Sequence, residues 1–221
     1  MNKPSSTRVF PSIMAADVSN LSLEVSRLKD LGADGIHIDI MDGHFVPNLT
    51  FGPQIVAAIN RHTDLFLEVH LMMYNPYDYI ERFIEAGADR VIFHFEATED
   101  VADTLYYIRK CNAQAGLAFC PDTSSEMIPK FLDKTDLVLL MTVHPGFGGQ
   151  AFLPEILEKV RYTSEMCRQL NTSSVEIEVD GGIDDKTASS CRDAGATTLV
   201  SGSYLFKSPD MRQAIQMLKN G

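Results

Sequence analysis

The 221-residue chain is 45% hydrophobic and 22% charged, the balance of a globular domain with a sizeable core, and it is too short for two ordinary domains and a linker. A formal net charge of −11 opposes attraction to phosphate backbones and anionic lipid, which excludes nucleic acid and membrane as expected partners. Apolar runs stay far below the roughly 18 residues of a bilayer span, and no basic stretch followed by an apolar one opens the chain. Cys111, Cys120, Cys167 and Cys191 form no CxxC pair, so neither a zinc knuckle nor a disulfide framework is indicated and a cytoplasmic location is expected.

In chain order, residues 1–7 are polar and read as a loose N-terminal extension of a single domain spanning 1–221. Short β-rich apolar runs follow at 9–14, 35–40, 66–71, 91–95, 115–119, 137–143, 175–179 and 198–201. Amphipathic stretches separate them, with apolar residues at helical spacing such as Leu21, Val25 and Leu28, or Ile156, Val160 and Met166. Gly32, Gly87 and Gly195 each stand just before a strand, where a left-handed glycine closes a helix. Eight strand-and-helix units, about 28 residues each, predict an α/β fold, a single (β/α)8 TIM barrel. A doubly wound open sheet is the alternative, and it normally has fewer strands.

Alternate strand residues of a barrel point inward, and chemistry collects at the C-terminal strand ends. The second run places His37, Asp39 and Met41 on one face, the third Glu68, His70 and Met72, the seventh Glu176, Glu178 and Asp180. Inward ionisable groups cost several kcal/mol unless paired or bound to metal, so their recurrence predicts a site. His37, Asp39, His70 and Asp180 form a mixed N/O set suited to one divalent ion, with Zn, Fe, Mn and Co all acceptable. His62 reads as a solvated loop residue, and His44, His94 and His144 as strand-end or loop residues without a partner and without a chemical role.

Glycine-rich loops follow the last three strands: Gly146-Phe147-Gly148-Gly149 after the sixth, Gly181-Gly182 after the seventh and Gly202-Ser203 after the eighth. Glycine lets main-chain N–H groups approach an anion, and no Lys or Arg lies within these loops, so a phosphate bound by main-chain donors is expected. The absence of a Walker A sequence and of a dinucleotide GxGxxG favours a small phosphorylated molecule over a nucleotide.

The stretches His37-Ile38-Asp39-Ile40-Met41-Asp42-Gly43-His44-Phe45-Val46-Pro47-Asn48, His70-Leu71-Met72, Met141-Thr142-Val143-His144-Pro145-Gly146-Phe147-Gly148-Gly149-Gln150 and Val179-Asp180-Gly181-Gly182-Ile183 resemble the ribulose-phosphate 3-epimerases, over about residues 10–206. The resemblance implies interconversion of D-ribulose 5-phosphate and D-xylulose 5-phosphate in the pentose phosphate pathway. It also implies one divalent ion held by His37, Asp39, His70 and Asp180, and Asp39 and Asp180 as the opposed base and acid. Ser12 and His70 are implied as substrate contacts, together with Asp180 and the loop residues Gly146, Phe147, Gly148, Gly149, Gly181, Gly182, Gly202 and Ser203. A homo-oligomer, dimer or hexamer, is implied as well. Inversion beside a ketone suits two carboxylates, because one removes a proton from one face while the other returns a proton to the opposite face. Met14, Met41, Met72 and Met141 would ring such a site with apolar sulfur. Two alternatives are an epimerase for another ketose phosphate, such as allulose 6-phosphate, and a non-catalytic sugar-phosphate binding protein. A lyase of the orotidine-phosphate decarboxylase or hexulose-phosphate synthase kind needs a lysine where Met41 stands.

Overall fold

A computed structural model describes residues 7–220, so the expected extension at 1–7 lies outside the described residues except for Thr7. The strands are β1 Arg8–Pro11, β2 Gly35–Met41, β3 Phe66–Met72, β4 Arg90–His94, β5 Gln114–Phe119, β6 Leu137–Met141, β7 Glu176–Asp180 and β8 Thr198–Ser201. They pair in parallel in the order β1-β8-β7-β6-β5-β4-β3-β2, and a parallel bridge from Ser12 to His37 joins the two ends of the sheet. The closed barrel expected from the eightfold alternation is what forms. The helices are α1 Leu21–Leu31, α2 Pro53–Asn60, α3 Ile80–Glu85, α4 Val101–Lys110, α5 Ile156–Gln169, α6 Thr187–Ala194, α7 Ser203–Phe206 and α8 Met211–Asn220. Among the described residues no helix is long and apolar enough to cross a membrane.

The alternation breaks once. Between β5 and β6 the chain makes a 3-10 segment, Ser125–Lys130, in place of an α-helix. Pro129 lies inside it and has no N–H to donate, so an α-helical ladder cannot run through. At the C-terminal ends of α1 and α6, Gly32 and Gly195 have φ of +94° and +111°, and Ala33 N–H and Ala196 N–H reach back to Leu28 O and Cys191 O. Such left-handed closures satisfy carbonyls at the helix end and turn the chain toward the next strand.

Two kinds of core result. Between strands and helices lies the main apolar layer, which includes Val25 and Leu28 of α1 and Val160 of α5. Inside the barrel the filling is divided by side. Ile92, Ala118, Leu137, Leu139, Met141 and Val143 form an apolar cluster on the β4–β6 side. His37, Asp39, Glu68, His70 and Glu178, all buried, come from β2, β3 and β7. Register sets this polar half: His37 stands beside Glu68 and Asp39 beside His70 across the β2/β3 ladder.

Candidate active site

The inward residues of β2, β3 and β7 converge just below the C-terminal mouth of the barrel. His37 Nε2 lies 3.3 Å from His70 Nδ1, 3.4 Å from Asp39 Oδ1 and 3.8 Å from Asp180 Oδ2. His70 Nδ1 lies 3.3 Å from Asp39 Oδ1 and 3.8 Å from Asp180 Oδ2. Four donor atoms held tetrahedrally at about 2.0–2.2 Å from one ion stand roughly 3.3–3.6 Å apart, so this cluster has the spacing and the donor chemistry of a site that can hold a divalent ion.

Electrostatics support that fit. Burial opposes charge on His37, yet the carboxylates of Asp39, Glu68 and Asp180 outweigh it and hold the ring well above the ordinary imidazole value. The carboxylates around His37 thus favour positive charge at this point of the barrel. Burial likewise opposes charge on Asp39, but His37 and His70 hold its carboxyl well below the usual carboxylate range. Asp180 behaves oppositely: burial first, then the Asp39 charge, push it up to about 7. Burial brings His70 down to about 4, so this ring is neutral at pH 7.

A floor of charged groups supports these residues. His37 Nδ1–H donates to Glu68 Oε1 at 2.8 Å, and Arg90 Nη1 donates to Glu68 Oε2 at 2.7 Å. Burial raises Glu68 while His37 and Arg90 overcome it and bring the carboxyl to about 2. Glu178, raised well above the ordinary value by burial and by Glu68, lies with an oxygen 3.8 Å from His37 Nδ1. Above the floor, Ser12 Oγ–H donates to Asp39 Oδ2 at 2.6 Å, leaving Oδ1 to face the two imidazoles.

The mouth is a cleft of about 380 Å³. Asp39 and Asp180 line it together with Ser12, with Gly146, Phe147, Gly148 and Gly149, with Gly181 and Gly182, and with Gly202 and Ser203. His37 and His70, both fully buried, stand behind the carboxylates and outside the cleft lining. Met14, Met41, Met72 and Met141 line the cleft as an apolar collar. Among the described residues that line it there is no Lys or Arg. The β6 loop is braced by Asn48 Nδ2, which donates to Gly146 O at 2.8 Å, and by Gln150 Nε2, which donates to His144 O and Phe147 O at 2.7 and 2.8 Å. Gly182 needs to be glycine here: its φ is +66°, and a Cβ would sit 2.7 Å from Phe152 N.

Residues 8–206 match the model of the ribulose-phosphate 3 epimerase family. The chain is 56% identical over 219 residues to the ribulose-phosphate 3-epimerase of Chlamydia pneumoniae, covering 99% of this chain and 96% of that protein. With the ribulose-phosphate 3-epimerase of Bacillus subtilis strain 168 it shares 43% identity over 212 residues, covering 96% and 98%. The chain belongs to the ribulose-phosphate 3 epimerase family. Its fold is shared more widely: the crystal structure of KGPDC from Streptococcus mutans superimposes with a TM-score of 0.71 at 14% identity, over 98% of this chain and 97% of the other.

Three participants escape the pattern that exposes this family's cluster. His94, expected to be without a partner, is fully buried, with its Nε2 2.9 Å from His70 Nε2 and the two rings meeting edge to edge, 5.0 Å between centroids and 27° between planes. Glu96 is its second neighbour, with Oε2 3.2 Å from His94 Nδ1. Burial opposes the charge on Glu96, but His94, Thr123 and the Cys120 N–H bring it to about 2. Arg90 is the third, 1% exposed in the barrel floor. The His-x-Glu spacing at 94 and 96 was a signal in the sequence for the first two; Arg90, next to Asp89 at the start of a strand, carried none. His62 is exposed as expected, while exposed His144 has its Nδ1 3.7 Å from Asp122 Oδ2.

Proposed function

We propose that this chain, a metal-dependent ribulose-phosphate 3-epimerase, interconverts D-ribulose 5-phosphate and D-xylulose 5-phosphate with Asp39 and Asp180 as its two proton carriers. The observation that carries the reading is that these two carboxylates, from strands three places apart round the barrel, line one cleft. One carboxylate takes the proton from C3, the C–H electron pair moves toward the C2 carbonyl, and an enediolate forms. The other delivers a proton to the opposite face of C3, and the configuration is inverted. Ser12 orients Asp39 through its 2.6 Å hydrogen bond. A divalent ion held by His37, Asp39, His70 and Asp180 would supply positive charge to the oxygens on which the enediolate charge develops. The methionine collar limits water at the reacting carbon, and the glycine loops receive the phosphate on main-chain N–H groups.

A coupled assay for xylulose 5-phosphate formation tests this directly. Chelation is expected to abolish activity, and Zn²⁺, Fe²⁺, Mn²⁺ or Co²⁺ to restore it. Elemental analysis is expected to find about one equivalent of metal per chain, from a single mixed N/O site. Full turnover in demonstrably metal-free protein overturns the metal reading. Binding of the sugar phosphate without turnover in the metal-loaded protein leaves the non-catalytic alternative standing. D-ribulose is expected to be a far poorer substrate than its phosphate, because remote binding energy is lost; equal kcat/KM values overturn the phosphate assignment. A homo-oligomer, dimer or hexamer, and a cytoplasmic location complete the proposal. Light scattering showing only monomer at high concentration, or cell fractionation placing the protein elsewhere, refutes these two parts.

A further inference from the structure

We infer that Glu96 and His94 form a relay that fixes the tautomer of His70, so that its Nδ1 lone pair faces the cluster; the inference rests on the reading of His70 as a metal ligand. The two imidazoles of the cluster are oriented differently. His37 is held directly, through Nδ1–H on the Glu68 carboxylate at 2.8 Å. His70 has no carboxylate on its outer nitrogen; its Nε2 meets His94 Nε2 at 2.9 Å. Two imidazole nitrogens at that distance require one donor and one acceptor, so the tautomers of the two rings are locked together.

What chooses between the two possible lockings is the far side of His94. Its Nδ1 lies 3.2 Å from Glu96 Oε2 and 3.4 Å from Cys120 Sγ. An ionised carboxylate only accepts, so Glu96 selects Nδ1–H on His94. The neutral ring then has its lone pair on Nε2, which accepts from His70 Nε2–H, and His70 is left with its lone pair on Nδ1. The reverse chain turns His70 Nδ1–H to Asp39 Oδ1 at 3.3 Å, but it leaves a lone pair on His94 Nδ1 facing the Glu96 carboxylate, where the only donor is the weak S–H of Cys120, and it turns an N–H rather than a lone pair toward the point where the cluster would hold an ion. Glu96 is itself anchored, accepting through Oε1 from the Cys120 N–H at 2.9 Å and from Thr123 Oγ1. The arrangement is the carboxylate–histidine support of a metal ligand extended by one ring. His94 and Glu96 are positioning residues, because they reach the cluster only through His70.

The test has a spectroscopic arm and a binding arm. Long-range ¹H–¹⁵N correlation on metal-free protein labelled with ¹⁵N-histidine reads the tautomers directly. The expected pattern is Nδ1–H on His94 and Nε2–H on His70. His94→Phe keeps an aromatic ring beside His70 and Phe45 but removes the acceptor. It is expected to weaken Zn²⁺ binding about 10–100-fold in chelator competition, the usual scale for losing an outer support. His94→Gln, whose amide oxygen accepts from His70 Nε2–H, is expected to recover most of that affinity, whereas a packing role for the ring predicts no recovery. Nδ1–H on His70 in the wild type, or wild-type Zn²⁺ affinity in His94→Phe, overturns the relay. A second equivalent of Zn²⁺ that disappears in Cys120→Ser also overturns it, because His94 Nδ1 would then be a ligand. Failure of the wild type to bind any divalent ion overturns the ligand reading of His70 instead, and the spectroscopic arm still judges the relay separately.

Discussion

Replacing Arg90 by Met is the most demanding test of how the barrel floor is held. The guanidinium is 1% exposed; it donates to Glu68 Oε2 at 2.7 Å, to Glu176 Oε2 at 2.8 Å and to Gln114 Oε1 at 2.5 Å, and lies 5.0 Å from the Phe66 ring centroid. Glu176 is partly exposed and retains Arg8, so its loss is screened and small. Glu68 is fully buried and keeps only His37, so nearly all the cost is that of a buried carboxylate deprived of its cation, about 3–5 kcal/mol. For a chain of this length that corresponds to a melting temperature lower by roughly 6–20 °C. Arg90→Lys is expected to recover part of the loss, because an ammonium returns a cation to Glu68 but cannot reproduce the fork to Glu68, Glu176 and Gln114. Adding Glu68→Gln to Arg90→Met removes the stranded charge while the amide oxygen still accepts from His37, so the double variant is expected to be more stable than Arg90→Met alone. The chain has no Trp, so far-UV circular dichroism is the suitable probe, applied to chelator-treated protein so that metal binding does not mask the change. A melting temperature within about 3 °C of wild type for Arg90→Met, or a double variant no more stable than the single one, refutes the argument.

Asp39→Asn and Asp180→Asn are each expected to lower kcat by at least about 10³-fold, since each leaves one face of C3 without a proton carrier, and activity within tenfold of wild type removes the two-carboxylate mechanism. Gly182→Ala, at φ +66° with Phe152 N 2.7 Å from the new Cβ, is expected to raise KM about tenfold by displacing the loop, with metal content unchanged. Gly202→Ala, at φ −108° and with Ala15 Cβ at 3.2 Å as its nearest new contact, is expected to have the smaller effect; kinetics that reverse this order contradict the loop geometry. Burial pushes the Cys191 thiol up to about 12, so it stays protonated and unreactive toward a disulfide reagent in native protein at pH 8. Because that pKa is raised on folding, the associated stability is present below the ordinary thiol value of about 8.5 and fades as pH climbs toward 12; rapid native-state labelling of Cys191 contradicts the burial.

Much of the site was legible in the sequence because it depends on a local rule. A strand alternates its faces, so His37 and Asp39 had to share one side, as did Glu68 and His70, wherever the strand came to lie. The glycines at 32 and 195 closed helices for an equally local reason, the ease with which glycine adopts positive φ. Sequence also exposed the glycine loops that line the cleft. What it could not supply was which faces meet. Asp180 reaches the cluster only because the bridge from Ser12 to His37 joins β1 to β2, which brings β7 within three strands of β2. His94 reads as a strand-end or loop residue without a partner; His70 and Cys120, which it meets, are 24 and 26 residues away, and the adjacent ladders of β3, β4 and β5 decide that they touch. Arg90 precedes the apolar run at 91–95 and carries no sign of burial in the sequence; Glu68, Gln114 and Glu176 from three other strands enclose it. Periodicity is fixed by the geometry of one strand, whereas burial and partnership inside a barrel depend on closure and register, which belong to all eight strands together.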